Sequence, residues 1–410
     1  MVPAGPRTKV PAGAGTKVPK GRCDMRPSSD IYQQLITTSH DVVCEVSAWM
    51  GPGEYTPYRL LAARVPVTSG TIQYDDTATL RRRLNITVPI RDPENATNWD
   101  PQGDPAHPLA VFGQQLNVRI GLTLPNGEVE LFNHGWYLIS EWSVDELERT
   151  VSVTAVDVAQ RIVDERLMIA RGPWSTAKTY AAEFRLMASV VRTDPYVDPR
   201  LSITKKVNPA TIWERDRAKN LDDLCTAWPG RWFIDDEGRP HAAPPLPEVT
   251  PTTRPDVDLV SGARGTVVNR ARTGTRERLY NTVVAIGKTG DELSSRPPWV
   301  SKSIETPGSP IHPQGPYGYK PRFYQSDLLT TSKQCMDAAK ALLPKVAAIG
   351  RTEPINVLPD YRVELGDVAR VRTDGGDFTG HVTAITLPLT ADGGHMQVTL
   401  ANVPDTPEEN

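Results

Sequence analysis

The chain has 410 residues, enough for two or three domains, and a formal net charge of −3, which supplies no global positive field toward nucleic acid. Its four cysteines, Cys23, Cys44, Cys225 and Cys335, are scattered and form no CxxC pair, which argues against a disulfide framework or zinc site and for reduced thiols in a cytoplasm-folded protein. No apolar run reaches the roughly 18 residues of a spanning helix, and no hydrophobic core of a secretory signal follows the basic N-terminus.

Residues 1–27 begin with VPAGPRTKVPAGAGTKVPKG, a repeated Val-Pro and Thr-Lys unit with nothing to bury, and read as a disordered extension in which Met25 is a second candidate start. SSDIYQQLITTSH then forms a short amphipathic or extended segment. Residues 28–160 read as a barrel-like β domain in which the chain from Asp41 to about Asp157 is strand after strand, and the Asn126-Gly127 pair between apolar runs is the strongest hairpin signal in the chain. Strands at this spacing suggest a small barrel or sandwich.

Within that region TLRRRLNITVPI, Thr79 to Ile90, alternates at period two. Leu80, Leu84, Ile86, Val88 and Ile90 share one face, and Thr79, Arg81, Arg83, Asn85 and Thr87 share the other. Arg82 breaks the pattern because it lies in line with the apolar face. An unpaired guanidinium is too costly to bury, so Arg82 requires a carboxylate, and Asp75 and Asp76 are the nearest in sequence. Arg81 and Arg83 are expected on a solvated or interfacial surface.

Residues 161–255 read as an α+β module. Helical periodicity runs through VDVAQRIVDERLM, STAKTYAAEFRLMASVV and NLDDLCTAW, the last stopped by Pro229-Gly230. A hairpin follows with its turn at Asp236-Glu237-Gly238, and Pro244 to Pro255 form an extended linker. Residues 256–405 return to strands, interrupted by a long loop from Gly290 to Lys320 and one helix in TSKQCMDAAKALLPKVAAIG. Pro344 should kink or end that helix, because proline removes a helical hydrogen bond. Residues 406–410 are a tail. With 38 prolines and 30 glycines, the composition points to a mainly β fold with a smaller α+β part: two barrel-like β domains with an inserted helical and hairpin module.

Motifs that carry chemistry are scarce. The seven histidines form neither HExxH nor an i, i+4 pair. AIGKTGDE resembles a phosphate-binding loop, but Thr282 stands where its first glycine belongs, and a proline-rich loop follows in place of a helix. Asp222-Asp223 and Asp235-Asp236 sit at a helix start and a turn, where carboxylates cap backbone groups. No catalytic, metal-binding or cofactor-binding residue is singled out, and no cofactor is expected.

The order of elements is similar to that of the tail hub, or baseplate hub, proteins of tailed bacteriophages and related contractile injection systems, over roughly residues 30–403. VPVTSGTIQYDDTATLRRRLNITVPIRDPE resembles the family's early strand pair. The run from DPAHPLAVFGQQLNVRIG to AVDVAQRIVDERL resembles its hairpin, strand, Asp and helix continuation. ALLPKVAAIGRTEPINVLPDYRVELGDVARVRT resembles its helix leading into a strand and a Leu-Gly-Asp turn. The Arg-rich strand and the Trp and Pro usage look most like versions from actinobacteriophages. The resemblance implies a non-enzymatic virion component at the distal end of the tail, assembled in the host cytoplasm. It further implies a homotrimeric ring that meets the tail tube or distal tail protein, the tape measure protein and a central spike or fibre. Specific nucleic-acid binding and a membrane segment are not expected. The rival readings are a tail-associated cell-wall hydrolase or peptidase, a receptor-binding tail protein and, last, a nucleic-acid binder.

Overall fold

The computed structural model describes residues 25–94, 96–173, 179–250, 253–263, 265–270, 273–274, 279–288, 296–306, 308–348, 351–374 and 376–401. The repeat in residues 1–24 lies outside the described residues. Met25 and Arg26 do not lie outside the fold, however. Met25 packs on the main core, and the Arg26 side chain is only 9% exposed, so the expected extension ends before them.

A short helix α1 (Asp30–Leu35) leads into strands β1 (Val42–Met50), β2 (Arg59–Ala62), β3 (Ser69–Asp75), β4 (Arg82–Pro89), β5 (Gln114–Thr123), β6 (Val129–Asp145) and β7 (Thr150–Asp157). Far along the chain come β11 (Val257–Val260), β12 (Val267–Arg270), β13 (Thr273–Gly274), β17 (Arg351–Val357), β18 (Val368–Thr373), β19 (Gly376–Pro388) and β20 (Met396–Ala401). Both sets belong to one sheet with the path β12-β17-β20-β19-β3-β4-β7-β6-β5-β1-β2. The seam between them is the antiparallel pair β3–β19, in which Ile72 faces Leu387 and Tyr74 faces Ile385. The alternation expected in β4 is observed: Leu84, Ile86 and Val88 are buried, each contributing about 1.5–3 kcal/mol of apolar transfer. They join one core with Leu116, Ile120 and Val153 from the first half and Ile355, Val371 and Val398 from the second. The hairpin at Asn126-Gly127 links β5 to β6, with Gly127 at φ +83.

Between β7 and β11 lies the helical and hairpin module: α2 (Gln160–Asp164), α3 (Tyr180–Ala188), β8 (Tyr196–Val197), α4 (Arg217–Ala227), β9 (Arg231–Ile234) and β10 (Pro240–Ala243). The first helix is shorter than its periodicity suggested, because β7 runs on to Asp157, whose carboxylate accepts the Ala159 N–H at 2.9 Å. Thr179 and Asp216 cap α3 and α4, accepting N–H bonds from Ala182 and Lys219. The module has its own core around Phe184, Trp213, Leu221 and Leu224.

A third unit contains β14 (Thr282–Ile286), β15 (Trp299–Ser303), β16 (Pro321–Gln325) and α5 (Ser332–Ala348). The loop expected over 290–320 thus includes a strand. The helix also continues past Pro344 to Ala348, where it was expected to kink or stop. Cys335, Ala339, Leu343 and Val346 pack on Val283 and Ala285, forming a third core. The fold is mainly β with a smaller α+β part. Most pairs are antiparallel; β8–β10, β11–β18 and β14–β16 are parallel.

Candidate functional site

Arg82 opens β4, directly across from Tyr74 on β3. Its side chain is 12% exposed and runs beneath β6, where Gly135 adopts φ +107. A Cβ on Gly135 would sit 2.3 Å from Arg82 Nη1, so a glycine is required there both for backbone conformation and for space. The guanidinium lies 5.7 Å from the Tyr74 ring centroid, and its Nη2 is 2.7 Å from Asp236 Oδ1. Nη1 also donates to the Asp235 carbonyl at 3.3 Å.

Asp236 stands at the turn between β9 and β10, so the module reaches back into the large sheet through its hairpin tip. Its second oxygen takes Arg26, which donates from Nε at 3.0 Å and Nη2 at 2.8 Å. Arg26 Nε is also 3.1 Å from Glu364 Oε1, and its Nη1 donates to the Tyr361 and Val363 carbonyls at 3.2 Å. One carboxylate is thereby clamped between two arginines, one from the segment before α1 and one from β4. Asn133 Nδ2 donates to the Asp236 carbonyl at 2.7 Å, and Trp136 closes over Gly238.

Burial alone would raise the Asp236 carboxyl, but Arg26 and Arg82 outweigh it and hold the group below the usual carboxylate range. Glu364 is pushed up to about 7, chiefly by burial and despite Arg26, with charged Asp236 beside it. Asp157, 1% exposed at the end of β7, is pushed up to about 6 by burial, against the pull of Arg82. His134 is held well below its ordinary value by burial and by Arg26, and so is a neutral ring. Its Nδ1 is 2.8 Å from the Tyr74 hydroxyl, while the Tyr137 hydroxyl donates to the His134 carbonyl at 2.7 Å.

The residues expected around Arg82 are placed differently. Asp76 pairs with Arg81, with Arg231 3.7 Å away. Asp75 holds its own turn, accepting from the Thr77 amide at 2.8 Å and hydroxyl at 2.6 Å. Arg81 is not open to solvent within the chain: its side chain is 12% exposed and lies over the Phe233 ring. Arg83 is exposed. The sequence signal for a buried charge at Arg82 was therefore sound, but its partner lies more than 150 residues away. Asp235-Asp236 had been read as turn carboxylates, and Arg26 had been set aside with the N-terminal extension.

Chemically the junction fixes positions. Arg26 and Arg82 share Asp236, and Glu364 lies against Arg26 as well. A cavity of about 350 Å3 lies elsewhere, between the Thr211–Trp213 segment, α4 and the β16–α5 loop. Its Lys219 and Asp223 pair with each other at 2.6 Å. Among the described residues, no group of three or more His, Cys, Asp or Glu side chains is placed to hold a metal ion, and no helix is long and apolar enough to cross a membrane.

By sequence, no protein-family model and no curated protein matches the chain. By structure, it is similar to a tail protein from Neisseria meningitidis MC58, with 12% identity and a TM-score of 0.58, covering 87% of this chain and 96% of that one. It is also similar to the 43 kDa tail protein of prophage MuSo2 from Shewanella oneidensis, with 11% identity and a TM-score of 0.53, covering 87% and 98%. A chain of the Francisella PdpA–VgrG complex aligns at 8% identity and a TM-score of 0.50, covering 91% of this chain and 60% of that one. At such identities the likeness is one of fold: the chain shares the fold of these two tail proteins.

Proposed function

We propose that this chain is a structural component of a phage-type tail, working as a hub at the distal end of the virion. Three copies would form a ring joining the tail tube or distal tail protein to a spike or fibre, with the tape measure protein as a further neighbour. The observation that carries this reading is the likeness in fold to two tail proteins, over 87% of this chain and 96% and 98% of those. The buried junction supports it, since a connector works through fixed geometry and buried ion pairs favour a single arrangement over alternatives. A net charge of −3 suits a ring through which DNA must pass without being held. The actinobacteriophage assignment rests on the Arg-rich strand and the Trp and Pro usage alone.

The test is the mass and symmetry of the purified full-length chain. Light scattering should give three times the 45.1 kDa of one chain, and electron microscopy should show rings with threefold symmetry. A monomer at every concentration, including with tail-tube protein added, would overturn the ring. Clearing of host cell walls in a zymogram, lost on a single acidic or histidine substitution, would turn the assignment to a wall hydrolase.

A further inference from the structure

The large sheet and the outer units meet in an unusual way. The module and the third unit are joined by apolar contact, because Leu328, from the loop between β16 and α5, is 3% exposed within the module core. Among the described residues, no helix or strand of these two units packs broadly along a strand of the large sheet. The boundary is instead made by side chains and turns, and most of them are polar. Asp236 sits between Arg26 and Arg82, Asn133 holds the Asp236 carbonyl, and Arg161 donates to the Pro52 carbonyl at 2.7 Å. The apolar part is small: Leu80 and Trp136 lean on the module core from the sheet side.

We propose that the module and the third unit form one outer body that rocks against the large sheet, and that Asp236 between Arg26 and Arg82 is the latch fixing its closed position. Opening exposes little apolar surface, since each body keeps its own core. A buried ion pair contributes much to choosing one arrangement and little to net stability. Removing one of its members leaves uncompensated charge, which drives the boundary apart. Arg26 has a second role, because its backbone N–H donates to the Arg362 carbonyl at 3.2 Å, tying its segment to the β17–β18 connection. The latch therefore links the first described residues to the hairpin tip of the module.

Hydrogen exchange on the full-length Asp236→Asn variant tests this. Peptides at the boundary (25–29 and 233–239) should exchange about tenfold faster or more than in the unsubstituted protein, while core peptides (116–122 in β5 and 221–227 in α4) keep their rates. Equal acceleration of boundary and core peptides would overturn the proposal, as would an unchanged boundary. Should the variant fail to fold, the unsubstituted protein decides. Under low denaturant its boundary amides should open at a lower free energy than either core, and a single shared opening free energy refutes separate bodies.

Discussion

Gly135→Ala tests the junction at its tightest point. Gly135 stands at φ +107, outside the region an alanine adopts readily, and an added Cβ would meet Arg82 Nη1 at 2.3 Å. The first effect is backbone strain, about 1–3 kcal/mol. The second is relieved only by moving the guanidinium, which pulls it off Asp236 and adds about 1–3 kcal/mol. In an Arg82→Ala background the second effect vanishes and the first persists. A double-mutant cycle separates them, using urea unfolding of all four proteins with midpoints and slopes compared. Gly135→Ala should cost about 2–6 kcal/mol in the unsubstituted chain and only the strain of about 1–3 kcal/mol beside Arg82→Ala. Equal costs in both backgrounds would show that the glycine serves its backbone alone and that Arg82 is free to relocate.

Arg82→Ala by itself should destabilise by about 2–4 kcal/mol, somewhat less than full loss of a buried pair because Arg26 still holds Asp236; the exposed neighbour Arg83→Ala should stay within about 0.5 kcal/mol. Similar costs for the two would refute the burial argument. The pH dependence of stability has a defined sign. Glu364 and Asp157 bind their protons more tightly folded than unfolded, so their stabilisation is complete below their unfolded values near 4 and is lost as pH rises toward about 7 and about 6. Asp236 is shifted the other way, and its contribution disappears as pH falls below its unfolded value of 3.8. Stability by urea midpoint should therefore fall between about pH 4 and 7, by about 1–2 kcal/mol from Glu364 once solvent screening of its one-third exposed side chain is allowed for. Glu364→Gln should flatten that slope, and an unchanged slope would contradict the shift.

The strands were the most legible part of the chain, because strands such as β3, β4 and β7 bury one face and so write their period into the sequence. In β4 the alternation located Leu84, Ile86 and Val88 on the core side without ambiguity. The third unit was less legible for a physical reason. Residues 299–303 include no buried side chain, and Trp299 is 63% exposed, so no apolar alternation marks β15 against its proline-rich surroundings. Pro344 does not end α5, which runs on to Ala348. The apolar face of α5, buried against β14, holds the helix through a residue that would break an exposed one. The pairing of β3 with β19 joins residues more than 300 apart, and no local rule anticipates it.

The junction shows where sequence reasoning stops. A cation in register with an apolar strand face violates alternation, and the violation alone demonstrates that a counter-charge must exist. It does not say where that charge is, since electrostatic pairing carries no period and no spacing. Asp75 and Asp76 were favoured by proximity along the chain, yet Asp76 is taken by Arg81 and Asp75 by its own turn. Asp236 meets Arg82 because the module hairpin folds back over the sheet, a consequence of packing three cores together. Gly135 was equally silent, because one glycine within β6 carries no sign of which side chain needs the space above it. What marks a site of this kind is a rule broken on one strand with its remedy supplied by another unit, so the contacts that hold the units together are those that local pattern leaves unexplained.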